Sequence, residues 1–211
     1  MINPLFPTPL YIGKMPNHES LKEKFMAGLK LATFPETNWQ CNVDTTFNQS
    51  CRNTMDIFPW EEFFAGVNRN ISSMAEELKS PPLSISPFNA WVNVYRQGQY
   101  QEPHTHVERH TTCSVIYFVN YVHEKDAKVG FRNSSIDHYV YSNFNCFFPR
   151  SYEWFTPIVE EGDVLIFPGF LEHTVGKQTG DRARVTVSSN YTIGRQGPTS
   201  DRPSTAPEEA T

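Results

Sequence analysis

The chain has 211 residues, a net charge of −5, and a heavy aromatic load of sixteen Phe, nine Tyr and four Trp. That length holds one domain with a sizeable core, and the aromatics suit strands around a cavity better than a helical bundle. Scattered Lys and Arg form no basic stripe for nucleic acid, no apolar run reaches membrane-spanning length, and Met1-Ile2-Asn3-Pro4 does not open a signal peptide, so a cytoplasmic location is expected.

From the start, Leu5 to Ile12 reads as extended chain in which Pro7 and Pro9 forbid a central strand. Asn17 or His18 can cap a helix running to about Leu31, with Leu21, Phe25 and Leu29 at helical spacing. A second helix is expected from Trp60 to Leu78, its stripe of Phe63, Phe64, Val67, Ile71 and Met74 reading as core packing. After Pro81-Pro82 the texture changes to short strands, placed at Asn89–Arg96, Thr112–Tyr121, Tyr139–Phe144, Asp163–Phe167 and Val185–Tyr191. Helices followed by a strand series predict an α+β, mainly β domain over residues 1–193: a double-stranded β-helix, or jelly roll, with flanking N-terminal helices. Residues 194–211 lack the apolar side chains that offset ordering entropy and are expected to be a disordered tail. Cys41, Cys51, Cys113 and Cys146 contain no C-x-x-C pair and are expected to be reduced thiols.

Chemistry concentrates in the histidines. Of seven in the chain, three crowd into Pro103-His104-Thr105-His106-Val107-Glu108-Arg109-His110. On a strand, positions i and i+2 project from one face about 6–7 Å apart along the chain, so His104 and His106 can reach one ion together. His173, after the apolar run ending Phe167-Pro168, can supply a third imidazole. Such a set suits Fe, Zn, Ni or Cu on ligand softness. His110, of the same parity, is a weaker spare.

The stretch Tyr95-Arg96-Gln97-Gly98-Gln99-Tyr100-Gln101-Glu102-Pro103-His104-Thr105-His106 resembles the Y-x-x-G-x5-H-x-D segment of Fe(II)/2-oxoglutarate-dependent oxygenases of the prolyl-hydroxylase type. Gly162-Asp163-Val164-Leu165-Ile166-Phe167-Pro168 followed by His173 is similar to their G-D-x-x-x-F-P…H block, and Ser114 to Phe118 to the strand after the first His. Arg184-Val185-Thr186 is similar to the R-x-S/T strand that holds the cosubstrate, and Leu5-Phe6-Pro7-Thr8-Pro9 resembles a bacterial and phage branch of such proteins. The resemblance covers most of residues 1–193. It implies a dioxygenase with Fe(II) and 2-oxoglutarate as cofactors, His104 and His173 as ligands, Arg184 as the salt bridge to the distal carboxylate, and Thr186 as a further hydrogen bond.

The chain departs from that family where Asp is usual, because His106 stands there. Either three imidazoles bind the metal, favoured by the spacing from Tyr95 and Gly98, or the register slips and Glu108 completes a His106-x-Glu108 pair with His173. Cupins offer a rival on the same fold, since Gly98-x5-His104-x-His106 also fits their first motif, but their following Glu is absent. A non-catalytic jelly roll that binds metal or ligand is a third class. Trp91, Asn93 and Tyr95 alternate with valines and either line a pocket or pack. The substrate, a small molecule or a peptide, has no readable code in the chain, and nothing indicates the oligomeric state.

Overall fold

Residues on the long strands alternate between two apolar environments, and each environment is covered by a different layer. The computed structural model describes residues 7–35, 42–47, 49, 51–107, 110–147 and 153–196. In chain order the elements are β1 (Tyr11–Lys14), α1 (His18–Gly28), β2 (Asp44–Thr45), α2 (Trp60–Glu77), β3 (Leu83–Tyr95), β4 (Gln101–His104), β5 (Cys113–Asn120) and β6 (Val129–Arg132). They continue with α3 (Ile136–Tyr141), β7 (Trp154–Phe155), β8 (Asp163–Pro168), β9 (His173–Val175) and β10 (Arg184–Arg195). The strands form two antiparallel sheets, ordered β1-β8-β5-β10-β3-β2 and β4-β9-β6-β7, as the two layers of a jelly roll.

Both expected N-terminal helices are present, and they cover the outer face of the large sheet. Leu21 and Phe25 of α1 and Phe63, Val67 and Ile71 of α2 are buried against Val92, Val94, Val115, Tyr117, Val185 and Val187. Burying each such side chain fully is worth about 1.5–3 kcal/mol. The rings of Phe25, Phe58, Trp60 and Phe63 meet at centroid distances of 5.5–6.0 Å, and the Trp60 indole N–H donates to Thr54 Oγ1 at 3.0 Å. At the end of α1, Gly28 allows close approach: a Cβ there would lie 2.4 Å from the Ile57 carbonyl. Residues of the opposite parity, Ile116, Phe118, Leu165 and Phe167, face inward and pack with Val129 and Phe131 of the small sheet.

Several expectations change. The strand expected at Tyr139–Phe144 is instead α3 followed by a 3-10 turn at Phe144–Phe147. Its β-branched and aromatic residues find no partner strand, and Ser135 N–H bonds Asn133 Oδ1, an Asx turn that starts the helix. β3 begins at Leu83 rather than Asn89, because β10 pairs with it through Arg195↔Leu83. Pro87 is tolerated there beside a register shift at Asn190/Tyr191. β10 therefore runs two residues past the expected tail boundary; residues 197–211 lie outside the described ones. Of the expected extended segment only Tyr11 and Ile12 enter β1, an edge strand on β8 that begins after Pro7 and Pro9. The strand assumed for His104 and His106 is β4, which ends at His104, and strands β2, β6, β7 and β9 were not expected. Cys113 is buried and Cys146 exposed, both free thiols. Among the described residues no helix is long and apolar enough to cross a membrane.

Candidate metal centre

His104 ends β4 and His173 begins β9, and the register places them directly opposite each other. His106 lies two residues beyond β4, where its backbone N–H donates to the Gly169 carbonyl at 2.8 Å and fixes the turn. The three rings converge with centroids 4.2 Å (His104–His173) and 5.1 Å (each to His106) apart, and one ligand atom from each lies within 4.8 Å of the others.

Backbone carbonyls set the tautomers of two of them. His104 Nδ1 lies 2.8 Å from the Glu102 carbonyl and His173 Nδ1 3.0 Å from that of Leu171. A carbonyl only accepts, so each Nδ1 carries the proton and each Nε2 presents its lone pair. This is how metal-binding imidazoles are usually oriented. Burial keeps all three neutral: it lowers His104, holds His173 well below the ordinary value, and brings His106 down to about 4 with help from His104. The donor set therefore fits an imidazole-seeking divalent ion. Glu108 lies outside the described residues. His110 is exposed with φ 84°, and is not part of the cluster.

Arg184 and Thr186 of β10 line the same cavity as the three histidines. Arg184 has no exposed surface, and none of its guanidinium nitrogens has a hydrogen-bond partner. Its carbon sits 4.6 Å from the centre of the Tyr95 ring, whose hydroxyl donates to Gln101 Oε1 at 2.8 Å and so ties β3 to β4. Burial lowers the Arg184 pKa, partly offset by the tyrosines. The buried carboxylate of Asp126 is engaged elsewhere, by Arg182 and by Gln178 Nε2 at 2.9 Å. Thr186 is buried on the same face, opposite Asn93 and Phe118.

Trp91, Asn93 and Tyr95 do line this cavity. Sequence reasoning passed over Gln101, Ser114 and Ser188, which line it too. The signal was present in β10, where Arg184, Thr186, Ser188 and Asn190 are polar at every second position, with Val185 and Val187 buried between the first three.

Residues 89–190 match the model of a protein family described as "Putative 2OG-Fe(II) oxygenase". A search of curated proteins finds no match. Solved structures share the fold at low identity. The non-heme α-ketoglutarate-dependent carbocyclase SnoK from nogalamycin biosynthesis gives a TM-score of 0.62 at 12% identity, covering 88% of this chain and 80% of its own. A prolyl hydroxylase from Trichoplax adhaerens, in complex with a hypoxia inducible factor peptide fragment, gives 0.61 at 9%, covering 87% and 83%. HygX from Streptomyces hygroscopicus, with nickel, 2-oxoglutarate and hygromycin B bound, gives 0.56 at 10%, covering 88% and 83%.

Proposed function

We propose that this enzyme, whose residues 89–190 match the 2OG-Fe(II) oxygenase family model, holds Fe(II) through His104, His106 and His173 and 2-oxoglutarate through Arg184 and Thr186. The observation that carries this reading is the fully buried, unpartnered guanidinium of Arg184 in the cavity of the imidazole cluster. A carboxylate answers it with two parallel charge-assisted bonds, each worth about 1.5–3 kcal/mol net. A cupin-type site gives this buried cation no task.

Bound Fe(II), with 2-oxoglutarate and O2, supplies oxidation of a substrate C–H bond coupled to decarboxylation of the cosubstrate. The chain's own residues bind and orient. The Glu102 and Leu171 carbonyls hold His104 and His173 with Nε2 inward. Three neutral ligands leave the full charge of the ion available to an anionic cosubstrate, which strengthens its binding. Tyr95 covers Arg184, while Ile116, Phe167 and Val175 give the cavity apolar walls that limit water. The same reading takes residues 1–193 as one catalytic domain in the cytoplasm, acting on a small molecule or a peptide.

The test is an anaerobic titration of Fe(II)-loaded protein with 2-oxoglutarate, which is expected to develop a metal-to-ligand charge-transfer band. Arg184→Ala should weaken that binding tenfold or more, about 1.4 kcal/mol. A wild-type protein without the band would remove the oxygenase reading, and unchanged affinity in the variant would remove Arg184 from its role.

A further inference from the structure

The polar face of β10 has two ends. Arg184 at one end is answered by the cosubstrate; the far end has no role yet. There the strand register places Asn190 beside Asn89 of β3 and Ser114 of β5. Ser114 lines the cavity, and its hydroxyl donates to Asn190 Oδ1 at 2.7 Å. Asn190 has no exposed surface, and its Nδ2 has no hydrogen-bond partner. The Oδ1 of Asn89 is likewise buried without one. Native interiors leave few such groups unsatisfied, so a donor and an acceptor left open on neighbouring strands point to something they receive.

The surroundings limit what that is. One register step nearer the histidines, Trp91 presents a flat face 5.7 Å from the His106 ring. Phe47 braces it edge-on at 4.8 Å, and Asn93 donates to Ser188 Oγ at 3.2 Å beside it. Apart from Arg184, the three imidazoles and the weakly acidic Tyr95 phenol, no described side chain lining the cavity is ionisable, and none is a carboxylate. A charged substrate group would therefore be desolvated without a counter-charge.

We propose that the substrate group received beside the metal is an uncharged carboxamide. Its carbonyl accepts from Asn190 Nδ2, its N–H donates to Asn89 Oδ1, and its plane lies toward Trp91. This deepens the oxygenase reading and rests on it for the position of the metal and of the cosubstrate. The pair is complementary to an amide because an amide offers an acceptor and a donor side by side in one plane.

Three flat isosteres test this: benzamide (neutral), benzoate (anion) and benzamidinium (cation). Each is titrated calorimetrically into protein loaded with Ni(II) and 2-oxoglutarate, so that Arg184 is already engaged. Benzamide should bind at least tenfold more tightly than either ion. Asn190→Leu should lose tenfold or more of the benzamide affinity while 2-oxoglutarate affinity is retained. Should Asn190→Leu fail to fold, Asn190→Asp keeps the shape and should shift preference from benzamide to benzamidinium. Equal affinities across the three probes, no benzamide binding, or a folded Asn190 variant with wild-type preferences would overturn the proposal and leave the two asparagines holding ordered water only. A 2-oxoglutarate titration of the same samples separates the two levels. Loss of 2-oxoglutarate binding with amide selectivity intact sinks the oxygenase reading alone, and the converse sinks the amide.

Discussion

Replacing Arg184 by Met should stabilise the ligand-free protein and at the same time cut its stabilisation by 2-oxoglutarate to half or less. The side chain has no exposed surface, its guanidinium nitrogens have no hydrogen-bond partner, and burial lowers its pKa with only partial offset from Tyr95, Tyr121 and Asp126, so the ligand-free fold carries a poorly compensated cation. The Tyr95 ring at 4.6 Å returns about 2 kcal/mol at most for a desolvated cation–π contact. Exchanging buried charges for well-packed apolar residues commonly gains about 1–4 kcal/mol, and Met keeps most of the contacts with Tyr95 and Phe118. For a chain of this size each kcal/mol moves Tm by about 2–4 °C, so a rise of several degrees is expected. Wild-type protein in 2-oxoglutarate at about 100 times Kd should gain about 2.7 kcal/mol, and the variant about 1.4 kcal/mol or less. Differential scanning fluorimetry of Ni(II)-loaded samples, with and without 2-oxoglutarate, reads both effects. A variant that melts lower than wild type without ligand and still shifts as far with 2-oxoglutarate would refute the reasoning, since Arg184 would then be a structural cation.

Other outcomes follow from the same geometry. His104→Ala, His106→Ala and His173→Ala should each cost more metal affinity than the roughly 10–100-fold typical of losing an outer partner. Glu108→Ala and His106→Asp should retain metal, and metal content after identical anaerobic loading decides; a metal-free Glu108→Ala would replace the His106 assignment. The metal-free protein should lose stability as pH falls from about 6.5 toward 4. His106 is held neutral down to about 4 in the fold, whereas the unfolded chain takes up its proton near 6.5. That difference is worth about 3 kcal/mol from this residue alone, and chemical denaturation at stepped pH should detect it; a flat profile would show that His106 is solvated. Truncation after Gln196 should leave Tm and metal content unchanged, whereas ending at Asn190 removes the Tyr191–Arg195 pairs with β3 and the buried Tyr191 and should lower Tm; a lower Tm for the first variant would show a docked tail.

Local patterns carried much of this protein. The Leu21–Phe25 and Phe63–Val67–Ile71 spacings specify helices whose buried stripe the core requires, and the alternation in Val185-Thr186-Val187-Ser188 specifies a strand with one polar face. The i, i+2 spacing of His104 and His106 and the order His173, Arg184, Thr186 were equally legible, because each is a property of a short stretch of chain. Other features arise only when distant segments meet. Tyr139–Tyr141 has strand-forming residues but became helix, and among the described residues no strand pairs with it. The two-to-four-residue strands β4, β6, β7 and β9 are too short to show a period, and they exist because neighbours pair with them. That Arg184 lacks a partner, that Asn89 and Asn190 stand side by side with open polar atoms, and that His104 faces His173 are facts of register and burial. Hydrogen bonds between residues tens of positions apart have no local signature, so only the tertiary structure decided them.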